Sequence, residues 1–385
     1  MAYSRLLEIP KRSFFLLGPR GTGKSSWLKK QFASAHTINL LDEHLYQSLL
    51  ADVSLFSKRL NTLPRGSRIV VDEIQRLPHL LNEVHRFIEE RGLLFALSGS
   101  SARKLRRAGV NLLAGRAVHR ELFPLAPEEL GRDFDLERTL TSGTIALVWS
   151  EGGSRDVLES YVQTYLREEI QVEALVRNLP GFARFLPIAA IFHGQVLNVT
   201  SLARDAGVSR STVNGYLEVL EDTLLSFRLP AFEGRLRVKE KKHPKLYWVD
   251  AGIVRAAKHT FGPVGIEERG ALFEGWIANL LRTYRSYRNA FDDWNYWAPT
   301  GSNALEVDFL LWQGTACIAI EAKASKRLRP EHFKGIRAFS DSFGLRKIKR
   351  RMVVYLGDEV LRSDDGIDVL PVRNFLERLE RGFSD

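Results

Sequence analysis

The apolar residues of this chain fall into short continuous runs, spaced as the strands of a buried sheet would be. Phe14 to Leu17, Ile69 to Val71 and Leu93 to Leu97 each stop at small or polar residues, and a helical stretch, Ser26 to Phe32, follows the first. Further helical regions, Pro127 to Arg132, Asp156 to Arg177 and Ala183 to His193, are punctuated by Gly152-Gly153 and Pro180-Gly181. Within Tyr161 to Glu173, Val162, Tyr165, Leu166 and Ile170 share one face, the mark of core packing. Thr200 to Ala206 and a second stretch from Ser209 to Leu220 read as two short helices about a turn at Gly207. Two strands, Leu224 to Leu229 and Lys245 to Val249, precede a helix from Gly270 to Tyr284. The strand runs Phe309 to Leu311 and Ala316 to Ile320, joined by a turn at Gln313-Gly314, close the pattern. Strand and helix alternate, so the fold class expected is α/β.

The first run opens into chemistry. Gly18-Pro19-Arg20-Gly21-Thr22-Gly23-Lys24-Ser25 lies between a strand and a helix beginning near Ser26. Its glycines let backbone N–H groups curl around phosphate oxygens while the helix offers its positive end; Lys24 can reach the β- and γ-phosphates and the Ser25 hydroxyl can bind Mg²⁺. Gly18 through Ser26 are therefore the candidate nucleotide-binding residues. The second run ends in Asp72-Glu73. An Asp at a strand tip can hold the Mg²⁺ shell, and the neighbouring Glu can polarise the attacking water. The third run stops at Ser98-Gly99-Ser100, where Ser98 either senses the γ-phosphate or caps the strand end.

These motifs, together with Leu113-Ala114-Gly115-Arg116-Ala117, resemble an AAA-type P-loop ATPase family of bacteria and archaea whose members carry a conserved C-terminal domain of unknown function. The resemblance implies ATP and Mg²⁺ as ligands, hydrolysis of ATP, a P-loop parallel sheet over 1–125 and a helical lid over 126–182. It also implies a homo-oligomer with sites between subunits, in which a neighbour's arginine reaches the γ-phosphate. Arg116 is the candidate for that arginine, with Arg103, Arg106 and Arg107 as alternatives, and a solvated or structural role is open for each.

Composition narrows the partner. Lys and Arg number 56 against 46 Asp and Glu, a formal net charge of +10, which favours nucleic acid, DNA first, as the anionic partner. With 44% apolar residues, 385 positions suffice for two or three cores. A single cysteine, Cys317, excludes a disulfide framework, no secretory leader pattern is seen, and no apolar run nears the roughly 18 to 20 residues of a membrane span. The expectation is a cytoplasmic protein with no membrane partner.

The helix pair suggests a helix-turn-helix followed by a wing, a winged-helix domain over 183–262. Leu202, Val213, Leu217 and Leu220 pack the pair, leaving Arg210, Ser211, Thr212 and Asn214 outward at the start of the second helix, where base edges or phosphates would be met. Between the wing strands, Arg228, Arg235, Arg237, Lys239, Lys241, Lys242 and Lys245 face only Glu233 and Glu240. Such a loop tracks a phosphate backbone or is a solvated hairpin.

Scattered through 263–385 is a second constellation. Glu274 on a helix, Asp308 leading into a strand, then Glu321 and Lys323 at the end of the next strand resemble the restriction-endonuclease-like nuclease superfamily. Asp308 and Glu321, flanked by Glu274, suit one or two Mg²⁺ beside a scissile phosphate, and Lys323 suits orientation of the attacking water. Glu321 and Lys323 are two apart and so share a strand face. Glu306 substitutes for Asp308 or faces solvent. Either the site is an intact metal-dependent nuclease, or it is retained for nucleic-acid binding or structure in an ATP-dependent switch or DNA-binding regulator.

Overall fold

The computed structural model describes residues 3–100, 113, 115–166, 178–234, 241–300 and 305–383. Arg103, Arg106, Arg107, Arg235, Arg237 and Lys239, named above, lie outside the described residues, as do the side chains of Tyr165, Leu166 and Ile170.

Five strands, β1 (Ser13–Leu17), β2 (His36–Asn39), β3 (Arg68–Asp72), β4 (Leu94–Gly99) and β5 (Ala117–Glu121), pair in parallel in the order β2-β3-β4-β1-β5. Alternation within each run fills two separate cores. Phe15, Leu17, Ile69, Val71, Phe95 and Leu97 join residues of the helices Glu43–Ala51, Ser54–Asn61 and Leu80–Arg91. Phe14, Leu16, Val70 and Ala96 pack against Trp27 and Leu28 of the helix Lys24–Gln31. A parallel sheet covered on both faces leaves no position for polar side chains, which is why these strands read as unbroken apolar runs. The strand order sets β4 between β1 and β3, so the residues that end all three strands emerge side by side.

Short helices follow, Pro127–Leu130, Leu136–Ser142, Ala146–Ser150 and Arg155–Ser160, then a π-turn at Tyr161–Leu166 and the helix Leu179–Ile191. Next comes a small antiparallel sheet of β6 (Gln195–Val196), β7 (Ser226–Leu229) and β8 (Lys245–Trp248), with β8 central. The helices Val199–Ala206 and Arg210–Asp222 stand between β6 and β7, and Ser209 caps the second by accepting the Thr212 N–H at 3.1 Å.

The last sheet is mixed: β9 (Asp293–Trp297), β10 (Val307–Gln313), β11 (Ala316–Lys323), β12 (Ile348–Tyr355), β13 (Leu361–Arg362) and β14 (Asp368–Pro371), in the order β13-β14-β12-β11-β10-β9. The helices Ile266–Arg288 and Val372–Glu380 cover one face and Lys334–Phe343 the other. One apolar cluster takes side chains from Ala126 to Phe383 and joins the short helices, the small sheet and this last sheet. The helix Ile266–Arg288 also docks on the first sheet: Arg282 pairs with Glu121 at the end of β5 (2.9 Å), Tyr287 Oη accepts the Phe123 N–H (3.0 Å), and Arg288 pairs with Glu128 (2.7 Å).

His193 lies where these parts meet. Its Nδ1 accepts the Trp248 N–H at 3.0 Å, and a Cβ on Gly275 would fall 1.9 Å from its Nε2, so only glycine fits there. Burial lowers its pKa from 6.5 to about 3. The folded chain thus refuses a proton that the unfolded chain accepts, and stability falls as pH drops below 6.5, by about 1.4 kcal/mol per pH unit for this one group. In urea titrations between pH 7 and 5, His193→Asn is expected to lose that share of the slope; equal slopes for the two proteins would contradict the assignment.

Candidate functional site

The loop 18–25 leaves β1 and turns into the helix Lys24–Gln31 through Gly21 (φ 77°) and Gly23 (φ 90°), conformations that favour glycine. No side chain caps that helix, so its first N–H groups are available to a ligand. Lys24 is buried, and its Nζ donates to the carbonyls of Gly18 (2.7 Å) and Pro19 (3.0 Å). The outer side of the loop is gripped: Tyr161 Oη donates to the Arg20 carbonyl, the Leu147 N–H to that of Gly21 and Arg5 Nη1 to that of Thr22, each at 2.9 Å. A cavity of about 560 Å³ is lined by 20–27, Glu73, Tyr3, Leu125 and Leu147, among others.

Asp72, Glu73 and Ser98 come together as one hydrogen-bonded group. Ser98 Oγ donates to Asp72 Oδ1 and accepts the Glu73 N–H at 3.2 Å. Glu73 adopts a left-handed backbone (φ 60°), which turns it out of the β3 line to the cavity wall, where Gln75 Nε2 donates to its carboxylate. Ser98 is fully buried and outside the cavity lining. Arg116 stands just before β5, beside the start of β1, and pairs with Glu89. Five strand residues, about 15 Å, separate it from the loop end of the same sheet. It is not among the residues that line its own chain's cavity.

In the C-terminal part, Glu274, Asp308, Glu321 and Lys323 converge, Glu306 joins Asp308 rather than replacing it, and the structure adds Lys245 and Tyr247. Pairing of β10 with β9 shifts register between Val307 and Leu310, the stretch that contains Asp308. Asp308 Oδ2 accepts the Ala322 N–H at 2.8 Å, and Lys323 Nζ donates to Glu321 Oε1 at 2.5 Å. Lys245 is a correction to the basic-loop expectation: its side chain is 2% exposed and pairs with Glu274 (2.8 Å), Glu306, and Asp308 (3.5 Å). Tyr247 Oη donates to Glu274 at 2.6 Å. Burial, reinforced by Asp308, pushes the Glu274 carboxyl up to about 7 and that of Glu321 well above its usual range. Burial acts the same way on Asp308, but the ammonium groups of Lys323 and Lys245 outweigh it and hold that carboxyl low. Burial would lower the Lys245 pKa, yet the acidic groups around it, Glu274 foremost, raise it well above normal.

At the start of the helix Arg210–Asp222, Arg210, Ser211 and Asn214 are exposed and Thr212 is half-buried. The flanks of the expected basic loop are docked rather than free. Phe232 N–H donates to the Tyr296 carbonyl (2.7 Å) and Lys241 N–H to that of Ala298 (2.9 Å). Among the described residues no helix is long and apolar enough to cross a membrane.

A parallel sheet with a P-loop after β1 and an acidic pair ending β3, one strand removed, defines an α/β module of P-loop type, and residues 10–131 match the AAA domain family. Residues 144–264 match a domain of unknown function, DUF8612, and 269–375 a second, DUF4143. Uncharacterized proteins of Mycobacterium bovis and Mycobacterium tuberculosis are each 25% identical over 276 residues, 69% of this chain and 61% of theirs. The chain thus spans about three-fifths of the length of these relatives. Among solved structures, the Orc1 protein of Aeropyrum pernix in complex with DNA is similar at 15% identity and a TM-score of 0.27, over 66% of this chain and 87% of that one. A Vibrio cholerae protein is similar at 12% identity and a TM-score of 0.23, over 96% of both.

Arg5 was not singled out in the sequence, yet it ties the loop to the helix Pro127–Leu130. Besides the Thr22 carbonyl it bonds the Phe123 carbonyl and Glu129 Oε1 (3.0 Å), an ion pair whose partners are 6% and 0% exposed. Arg5→Ala leaves the buried Glu129 carboxylate with only the N–H groups of Leu6 and Ala126 and no cation, at a cost of about 3 kcal/mol in chemical denaturation. A loss below about 1 kcal/mol, the range of an exposed pair, would count against this role.

Proposed function

We propose that this chain is a Mg²⁺-dependent ATPase that couples its nucleotide state to nucleic acid, DNA in the first instance, held by the C-terminal half. The observation that carries the reading is one cavity bounded by both the loop 20–25 and Glu73, backed by the Asp72–Ser98 pair. When bound, Mg²⁺ would neutralise charge on the β- and γ-phosphates; Ser25 and Asp72, with their hard oxygen donors, would hold it, while the uncapped helix start suits the phosphates themselves. Lys24 exchanges its carbonyl partners for phosphate oxygens. Glu73, steadied by Gln75, orients and polarises the attacking water. Ser98 acts as a positioning residue that fixes Asp72 and the Glu73 backbone. Because Arg116 stands at the far end of its own sheet, any γ-phosphate it serves belongs to a neighbouring copy, which supports the homo-oligomer reading. A cytoplasmic setting is consistent with this reading.

The helices and small sheet of 179–248 have the order of a winged helix, in which Arg210, Ser211, Thr212 and Asn214 meet the nucleic acid. For the last sheet, a specific observation favours the second reading, a switch whose nuclease-like site is idle: the Lys245 ammonium already lies among Glu274, Glu306 and Asp308. The donor set fits Mg²⁺ by its chemistry, and Lys245 competes for it.

ATP hydrolysis by wild type, Lys24→Ala and Glu73→Gln tests the first half: each variant is expected to lose about 100-fold or more in rate. A variant at the wild-type rate would refute it. For the second half, Arg210→Ala is expected to weaken binding to duplex DNA in fluorescence anisotropy and to reduce the slope of log affinity against log salt by about one. An unchanged slope with unchanged affinity moves the interface elsewhere.

A further inference from the structure

Strand β8 delivers two polar side chains into the carboxylate cluster from outside the last sheet. Lys245 and Tyr247 are two apart and so share a face, and both end on Glu274 Oε1. The ammonium also meets Glu306 and Asp308. One oxygen each from Glu274, Glu306 and Asp308 lies within 4.8 Å of the others, a spacing that suits a single cation among hard oxygen donors. At 2% exposure, the Lys245 side chain brings its ammonium to that point.

An independent observation points the same way. Glu321 is buried to 5% exposure, and while its Oε1 is held by Lys323, its Oε2 is buried with no hydrogen-bond partner.

We infer that Lys245 is an autoinhibitory plug: its ammonium closes a divalent-cation site formed by Glu274, Glu306 and Asp308, with Glu321 alongside, and its withdrawal opens that site. The inference rests on the reading of these carboxylates as the metal site of a nuclease-like domain. Lysine suits such a plug, being a compact single charge on a flexible stem, where arginine would lock two carboxylate oxygens in a fixed fork. Because the plug is carried by β8, cation access depends on how the small sheet sits against the helix Ile266–Arg288.

Mn²⁺ titrated into the nucleotide-free full chain, with free Mn²⁺ read by electron paramagnetic resonance, tests it. Wild type is expected to take up Mn²⁺ only weakly, while Lys245→Met gains one site about tenfold tighter or more, lost again in Lys245→Met/Asp308→Ala. A folded Lys245→Met with the wild-type isotherm overturns the plug, and so does wild-type binding as tight as the variant's. If Lys245→Met folds poorly, its thermal transition and that of Lys245→Gln decide: a rise with Mn²⁺ that wild type lacks supports the plug, and no rise in either variant overturns it. Plasmid scission on the same samples separates the two readings. A variant that gains Mn²⁺ and cuts nothing keeps the plug and removes the nuclease, whereas scission by wild type equal to that of the variant removes the plug.

Discussion

The helix Ile266–Arg288 is held by ion pairs at both ends, and the arrangement of the two candidate sites depends on it. Near its start Glu274 meets Lys245 and Tyr247; further along, Arg282 and Arg288 reach Glu121 and Glu128 at the edge of the P-loop sheet. Thirteen residues from Glu274 to Tyr287 span about 20 Å of helix, and Leu272, Phe273, Ile277, Leu280, Leu281 and Tyr284 along it are buried. A helix packed over that length moves as a unit. One packed helix therefore joins the β5 edge to the carboxylate cluster that faces β8.

Burial of charge explains why that junction takes the form it does. A carboxylate out of water is costly unless cations or N–H donors surround it, and three carboxylates sharing one space raise the cost further. Asp308 has an N–H donor in Ala322 and two ammonium groups nearby; Glu274 has Lys245 and Tyr247. The same electrostatics that would gather a metal ion gather a lysine instead, so convergence of acidic residues is a statement about cations in general. Which cation is decided by the neighbouring part of the chain.

Legibility in the sequence follows from how local the determinants are. Gly18 to Ser25, Asp72-Glu73 and the Ser209 cap are recognised by consecutive residue types, and the apolar runs around the first two announce a sheet covered on both faces. Lys245 is the opposite case. It sits in a run of basic residues, so composition counts it with the solvent-facing charge, whereas its partners lie 29 to 63 positions further on. One signal was present: Lys245 opens Lys-Leu-Tyr-Trp, four residues buried without exception, and a lysine inside such a strand must find an acid. Arg5 and Tyr161 were similarly hidden, because what they bind is backbone carbonyl, which no residue type reveals. The register shift around Asp308 depends on pairing with β9, not on the residues of β10 alone.

The hidden carbonyl contacts bear on the nucleotide site itself. In a trans peptide the C=O and the following N–H point in opposite directions. Holding the carbonyls of Arg20, Gly21 and Thr22 outward thus aims the following N–H groups the other way, toward the loop's inner side, where that of Thr22 meets the Pro19 carbonyl at 3.4 Å. The donors come from three places: Tyr161 and Leu147 from the helices after the P-loop sheet, and Arg5 from the segment before β1. A Cβ on Gly21 would press within 3.1 to 3.2 Å of Leu147 and Ile145, so the packing is close as well as hydrogen-bonded. The cradle is therefore set partly by residues that touch no phosphate. Those helices share their apolar cluster with the small sheet and the last sheet, so the outer grip on the loop is continuous with the packing of the C-terminal half.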